Sequence, residues 1–81
     1  MQVADIVVPP LGDVEEVKVV RWLHDVGDEV QAGEAVAEVE AEKATFVIEA
    51  PVHGRLFAIL VPEGRTAAPG DVIGKIEEEG G

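Results

Sequence analysis

The chain has 81 residues, of which 47% are hydrophobic, and 17 acidic against six basic side chains give it a formal net charge of −11. This length allows one small domain with a modest core and excludes two domains. The negative charge argues against binding to nucleic acid or to anionic membranes and favours a cationic protein partner.

The chain contains no cysteine. A disulfide framework, a thiolate metal site and a redox-active protein thiol are therefore excluded. The residues after Met1, "QVADIVVPPLGD", have no basic segment followed by a long apolar one, so they do not form a secretory signal, and no stretch is long enough to span a membrane. We expect a soluble, intracellular domain over residues 1–78, with 79–81 beginning a linker or tail of a longer chain.

Eight short strands are predicted in chain order, because β-branched residues are frequent and apolar residues alternate with polar ones. The alternation is clearest in "AVAEVE" (35–40) and "TFVIE" (45–49). No stretch of comparable length has helical periodicity. The predicted strands are 3–8, 16–23, 29–31, 35–40, 45–50, 54–60, 66–68 and 72–77.

An internal repeat relates the two halves of the chain. "GDEVQAGEAVAEVE" (27–40) aligns with "GRTAAPGDVIGKIE" (64–77) at a constant offset of 37 residues. A solenoid needs at least about three repeats to bury its apolar faces, whereas two similar half-sheets can cover each other around a pseudo-twofold axis. We therefore predict a flattened all-β sandwich or barrel.

The fourth and fifth strands are separated by only "AEKA", residues 41–44, which predicts a tight β-hairpin. Val39 and Phe46 would point to the core at its base, and Lys43 would lie at its exposed tip. Lys43 is one of three lysines, and the equivalent place in the second repeat is the chain end. A surface lysine is usually only solvated charge, but the position of this one is unique in the predicted fold.

The other polar residues do not form a recognisable active site. The two histidines, His24 and His53, have no acidic or nucleophilic partner at a motif spacing, and the chain has no serine. Trp22 is expected to complete the core or cover its edge. No catalytic residue is therefore expected. No metal site is expected either, because the acidic residues that alternate from the fourth strand into the following connection lack a calcium-loop pattern and are more typical of a solvated face: Glu38, Glu40 and Glu42.

Four segments together resemble the lipoyl domains of the acyltransferase component of 2-oxo acid dehydrogenase complexes, within the biotinyl/lipoyl-attachment family. These segments are "VVPPLG" (7–12), "VVRWLHDVGDEVQAGEAVAEVE" (19–40), "EAEKATFVIEAPVHG" (40–54) and "GRTAAPGDVIGKIE" (64–77). The resemblance implies a barrel-sandwich hybrid of two four-stranded antiparallel sheets. It also implies that Lys43 carries covalently bound lipoic acid.

Further roles follow from the same resemblance. Residues around the lysine would be read by the lipoate-attaching enzyme: Glu40, Glu42 and Ala44. The loop 9–16 would be read by a thiamine-dependent decarboxylase, through Gly12, Asp13, Glu15 and Glu16. The family places Asp where this chain has Glu42 and Thr where it has Ala41.

The resemblance implies a monomeric, non-catalytic swinging-arm carrier that serves the decarboxylase, the acyltransferase core and dihydrolipoamide dehydrogenase. Its compartment would be a bacterial cytoplasm or a mitochondrial matrix. Two alternatives remain: a biotin carboxyl carrier domain, and an unmodified structural module of the same fold. Biotinyl lysines are typically flanked by methionines, whereas Lys43 is flanked by Glu42 and Ala44, so lipoylation is favoured.

Overall fold

The computed structural model describes residues 2–79, which contain strands and turns but no helix, and hence no helix able to cross a membrane. Every predicted strand is confirmed, with each end within one residue of its predicted position. The predicted linker or tail is described only at Glu79; Gly80 and Gly81, like Met1, lie outside the described residues. The strands are β1 (Gln2–Val7), β2 (Val17–Trp22), β3 (Glu29–Val30), β4 (Ala35–Glu40), β5 (Thr45–Glu49), β6 (Gly54–Ile59), β7 (Thr66–Ala67) and β8 (Val72–Glu78).

The strands form two four-stranded antiparallel sheets, ordered β1-β8-β6-β3 and β5-β4-β2-β7. The 37-residue offset places β2 on β6, β3 on β7 and β4 on β8, and the two remaining strands, β1 and β5, occupy equivalent edges. One sheet order therefore maps onto the other. The predicted pair of half-domains around a pseudo-twofold axis is confirmed.

Equivalent glycine turns join each half to the other. Gly27 donates its backbone N–H to the carbonyl of Leu56 on β6, and Gly64 donates to the carbonyl of Val19 on β2, both over 2.8 Å. The two glycines have φ of 102° and 88°, a region that costs little only for a residue without a Cβ. The sequence repeat thus corresponds to a repeated hydrogen bond, in which a glycine turn of one half bonds to a strand of the other half.

The core lies between the sheets and is built from small and aliphatic side chains. Trp22 is half-buried at its edge, where the indole Nε1–H donates to the carbonyl of Val61 over 2.9 Å, as expected for a tryptophan that covers a core rim. No polar or charged side chain in residues 2–79 is buried. The buried core comprises Ile6, Val8, Val17, Val19, Val30, Val36, Ala37, Val39, Ile48, Ala50, Leu56, Ala67, Ile73 and Ile76.

The β4–β5 hairpin and the ends of the described chain lie at opposite ends of the domain. β5 leads away from the hairpin, so the next strand, β6, begins at the opposite end, at Gly54. Gly54 pairs with Glu78 and Glu78 pairs with Gln2, so both ends of the described chain lie there. We call these the hairpin end and the terminal end of a domain whose longest dimension is 40 Å. The loop between β1 and β2 lies at the hairpin end, because Lys18 on β2 pairs with Glu40 on β4.

Candidate functional site

The predicted hairpin is present, and its connection is as short as the sequence indicates. Glu40 pairs with Thr45, and Ala41 donates its N–H to the carbonyl of Ala44 over 2.8 Å. No residue other than glycine in the described chain has a positive φ, so the turn needs no special residue at its apex. Lys43 can therefore occupy the tip without backbone strain.

The base of the hairpin is held by the core. Val39 is fully buried and Ile48 nearly so. Phe46 was expected to point into the core, and it does pack against it, but its ring is only half-buried because one side faces a groove at the hairpin end. The hairpin is thus fixed at its base and exposed at its tip.

Lys43 is exposed, and among residues 2–79 it forms no ion pair. Lys75, by contrast, donates to Asp5 over 2.7 Å. An amine with no carboxylate partner at the apex of a projecting turn is open to approach by a macromolecule. The neighbours assigned to recognition by an attaching enzyme are exposed beside it: Glu40, Glu42 and Ala44.

The hairpin and the β1–β2 loop enclose an open groove of about 990 Å³, which we call the hairpin groove. Its apolar lining is provided by Val14, Val17, Ala41, Ala44 and Phe46. Polar and charged residues also line it: Asp13, Glu15, Glu16, Lys18, Glu40, Glu42, Lys43 and Thr66. Five carboxylates against two amines give the groove a negative charge.

The β1–β2 loop is held in place by two apolar side chains. Leu11 and Val14 are half-buried and pack against the core, and Val14 donates its N–H to the carbonyl of Leu11 over 3.4 Å. Gly12, within this turn, has φ of 69°. The acidic residues predicted for partner recognition, Asp13, Glu15 and Glu16, are exposed beside the hairpin.

The two histidines lie toward the terminal end, far along the strands from Lys43. His24 follows the end of β2 that points away from the hairpin, and His53 directly precedes β6. Each imidazole has a carboxylate neighbour that the sequence spacing did not predict: Glu34 Oε2 lies 2.9 Å from His24 Nε2, and Glu29 Oε2 lies 2.9 Å from His53 Nε2. Neither histidine takes part in the groove.

The groove itself has no signature in the sequence. Its walls come from residues 13–18, 40–44 and 46, with Thr66 added from the second half. Only the pairing of Lys18 with Glu40 joins these walls, and that pairing depends on which strands are neighbours. The hairpin and the β1–β2 loop could each be predicted from the sequence, but the contact between them could not.

The chain matches known proteins along most of its length. The model of the family described as "Biotin-requiring enzyme" matches residues 4–76. The succinyltransferase component of the 2-oxoglutarate dehydrogenase complex of Rickettsia conorii is 38% identical over 74 residues, which are 90% of this chain and 19% of that protein. The acetyltransferase component of the pyruvate dehydrogenase complex of Staphylococcus epidermidis is 37% identical over 70 residues, 85% of this chain and 16% of that protein.

Two solved structures share the fold. The lipoyl domain of the 2-oxoglutarate dehydrogenase complex of Azotobacter vinelandii superposes with a TM-score of 0.74 at 25% identity, over 95% of this chain and 100% of that one. The urea carboxylase of Kluyveromyces lactis gives a TM-score of 0.80 at 25% identity, over 95% of this chain and 6% of that one. The chain spans less than a fifth of the two acyltransferase components described above.

The hairpin lysine, the two related sheets and these similarities agree with one another. The chain therefore belongs to the biotin/lipoyl-attachment family, as a lipoyl domain of the kind found in acyltransferase components of 2-oxo acid dehydrogenase complexes.

Proposed function

We propose that this domain is a swinging-arm carrier, whose lipoylated Lys43 shuttles acyl groups and reducing equivalents between the active sites of a 2-oxo acid dehydrogenase complex. The observation that carries the proposal is the exposed, unpaired amine at the apex of the β4–β5 turn. A covalent arm needs an accessible nucleophile on a projection that other active sites can enclose. The hairpin end meets this requirement.

The chemistry of Lys43 fits an amide link to lipoic acid. The neutral amine attacks the activated carboxyl carbon of lipoate, a C–N bond forms, the activating group leaves and the nitrogen loses a proton. When bound, the lipoyl group supplies the dithiolane sulfurs that a chain without cysteine lacks. The names of both acyltransferase relatives specify a dihydrolipoyllysine residue, which supports this choice of cofactor.

The rest of the domain holds and presents the arm. The ladder between β4 and β5, together with buried Val39 and Ile48, keeps the turn projecting from a rigid body. The flexible four-carbon stem of Lys43 extends the reach. We assign no catalytic residue to the domain, so each reaction takes place in a partner's active site.

The charge of the hairpin groove suggests how partners recognise the domain. Attachment of lipoate turns the Lys43 amine into a neutral amide. The carboxylates around it then have one positive charge fewer to balance them. A cationic rim on a partner would then meet a more acidic surface, which speeds encounter without requiring tight binding. We assign this surface to the thiamine-dependent decarboxylase, with the acyltransferase core and dihydrolipoamide dehydrogenase as further partners.

A biotin carboxyl carrier is the second candidate, because the matching family is described as "Biotin-requiring enzyme". The fold and the hairpin lysine serve either cofactor. The residues next to Lys43 are Glu42 and Ala44 rather than the methionines typical of biotinyl domains. Lipoylation is therefore the function that this site supports best.

Intact-mass measurement on protein isolated from its native host tests the assignment. A single lipoyl increment is expected, and it should disappear in Lys43→Arg and persist in Lys18→Arg and Lys75→Arg. A biotinyl increment would support the second candidate instead. A lipoyl increment that persists in Lys43→Arg would show that the site is wrong.

A further inference from the structure

At the terminal end, three possible metal ligands from distant parts of the chain come together. They are Glu29 on β3, His53 before β6 and Glu79 after β8, all exposed. One ligand atom from each lies within 4.8 Å of the other two, and His53 Nε2 is 2.9 Å from Glu29 Oε2. We propose that these three side chains bind a single Zn²⁺ ion, at a site independent of the carrier function of Lys43.

The backbone fixes the three positions relative to one another. Val30 on β3 pairs with Gly54 on β6, and Gly54 pairs with Glu78 on β8. Glu79 also donates its N–H to the carbonyl of His53 over 3.2 Å. Because each ligand adjoins a paired strand position, only side-chain rotations are needed to close the site around an ion.

The donor set suits zinc. Imidazole nitrogen and carboxylate oxygen both bind Zn²⁺ at about 2.0–2.2 Å, so ligand atoms around a tetrahedral ion lie about 3.3 Å apart. His53 Nε2 and Glu29 Oε2 lie 2.9 Å apart and no pair of the three ligand atoms is more than 4.8 Å apart, so small side-chain rotations reach this spacing. A water molecule would fill the fourth position. The nitrogen donor favours zinc over calcium and magnesium, which prefer sites made of oxygen alone.

In the part of the chain that the structure describes, the carboxylates at this site accept no hydrogen bond from a backbone N–H group. Within residues 2–79, the Glu29 side chain hydrogen-bonds only to His53, and the Glu79 side chain has no hydrogen-bond partner. Arg55, which pairs with Glu29 across the ladder, forms no ion pair there. Two negative charges are thus available to compensate a divalent cation.

The other histidine provides a matched contrast. Glu34 Oε2 is 2.9 Å from His24 Nε2, but Asp28 Oδ2 faces the other ring nitrogen, Nδ1, at 3.7 Å. Carboxylates on opposite sides of an imidazole cannot share one ion with it. Both carboxylates also accept backbone N–H groups within their own turns, over 2.8 Å. His24 therefore has two carboxylate neighbours, but the three side chains cannot bind one metal ion together.

Isothermal titration of the chelator-treated chain with ZnCl₂, together with thermal unfolding, tests the proposal. One ion per chain and a raised melting temperature are expected, because a ligand that binds only the folded state stabilises it. His53→Gln should weaken binding by about tenfold or more, since the nitrogen donor is lost. His24→Gln should bind as the parent does, and NMR of the parent should show the His53 ring, not the His24 ring, shifting on titration.

The site is overturned if the parent shows no saturable binding, if His53→Gln binds as well as the parent, or if His24→Gln loses as much affinity. The melting temperature of each variant without zinc shows whether the substitution has damaged the fold. Glu79→Gln gives a second check, because this exposed side chain makes no other hydrogen bond within residues 2–79 and should weaken zinc binding without changing stability in the absence of metal. The titrations use the Lys43→Arg chain as parent, so that no lipoyl sulfur can bind the metal and the result is independent of the proposed carrier function.

Discussion

Ala41 donates its backbone N–H to the carbonyl of Ala44 over 2.8 Å, and this hydrogen bond limits the loop that carries Lys43 to its shortest form. The bond extends the β4–β5 ladder one step past the pairing of Glu40 with Thr45. Lys43 is thereby held at a defined height and direction above the sheet. Only Glu42 and Lys43 then lie between the two bonded residues.

Inserting one glycine between Lys43 and Ala44 should therefore reduce lipoylation while leaving the domain folded. The insertion breaks the register that allows Ala41 and Ala44 to bond, but it leaves the buried base of the hairpin in place. The rate of modification by a lipoate-attaching enzyme, followed by intact mass, measures the effect. Lys43→Arg gives the unmodified baseline, and an insertion variant modified as fast as the parent would contradict the argument.

Replacing Gly64 or Gly54 by alanine should lower the free energy of unfolding by different amounts. A Cβ at Gly64 would meet nothing within 4 Å, so Gly64→Ala is penalised only by its φ of 88°, by about 1–2 kcal/mol. A Cβ at Gly54 would lie 2.2 Å from the carbonyl oxygen of Glu77. Gly54→Ala forces strands β6 and β8 apart, so it should cost more than Gly64→Ala.

Urea denaturation of both variants measures the difference in the free energy of unfolding. Gly27→Ala is the matched control for Gly64→Ala, because its φ is also positive and a Cβ there also meets nothing within 4 Å. The two should lose similar stability. A Gly54→Ala variant as stable as the parent would show that β6 and β8 are not packed as closely as described.

Replacing Phe46 by alanine should destabilise the domain moderately. Full burial of the ring would make the loss about 3–5 kcal/mol, but the ring is half-buried against the core, so we expect about 1–2 kcal/mol. Val47, next to it on the outer face, is 51% exposed. Val47→Ala should change the free energy of unfolding by less than about 0.5 kcal/mol, and equal losses in the two variants would refute the inward orientation of Phe46.

The acidic residues of the hairpin groove predict a salt-dependent encounter with the decarboxylase, if the proposed function holds. Glu15→Lys with Glu16→Lys should slow reductive acylation of the lipoylated domain several-fold at low ionic strength, and less at high ionic strength, where surface charges are screened. Glu77→Lys with Glu78→Lys, on β8 toward the terminal end, changes the net charge by the same four units and serves as control. An equal effect of all these changes would indicate net charge rather than a local contact.

Much of the fold was readable from the sequence, because its signals are local. Alternation along 35–40 and 45–49 identified two strands, and the 37-residue repeat identified the equivalent turns at Gly27 and Gly64, whose positive φ explains the residue type. The tight connection at 41–44 placed Lys43 at a hairpin tip. These features depend on pleat period and turn geometry, which neighbouring residues determine.

The amino-acid sequence by itself thus determined the strands, the two similar halves and the position of Lys43 at a hairpin tip. Tertiary structure alone decided that the β1–β2 loop lies beside the hairpin to form a groove, that Phe46 is only half-buried, and that Glu29 and His53 meet near Glu79. The physical reason is that these contacts join segments far apart in the chain. They follow from the order of strands within the sheets, which no local pattern encodes.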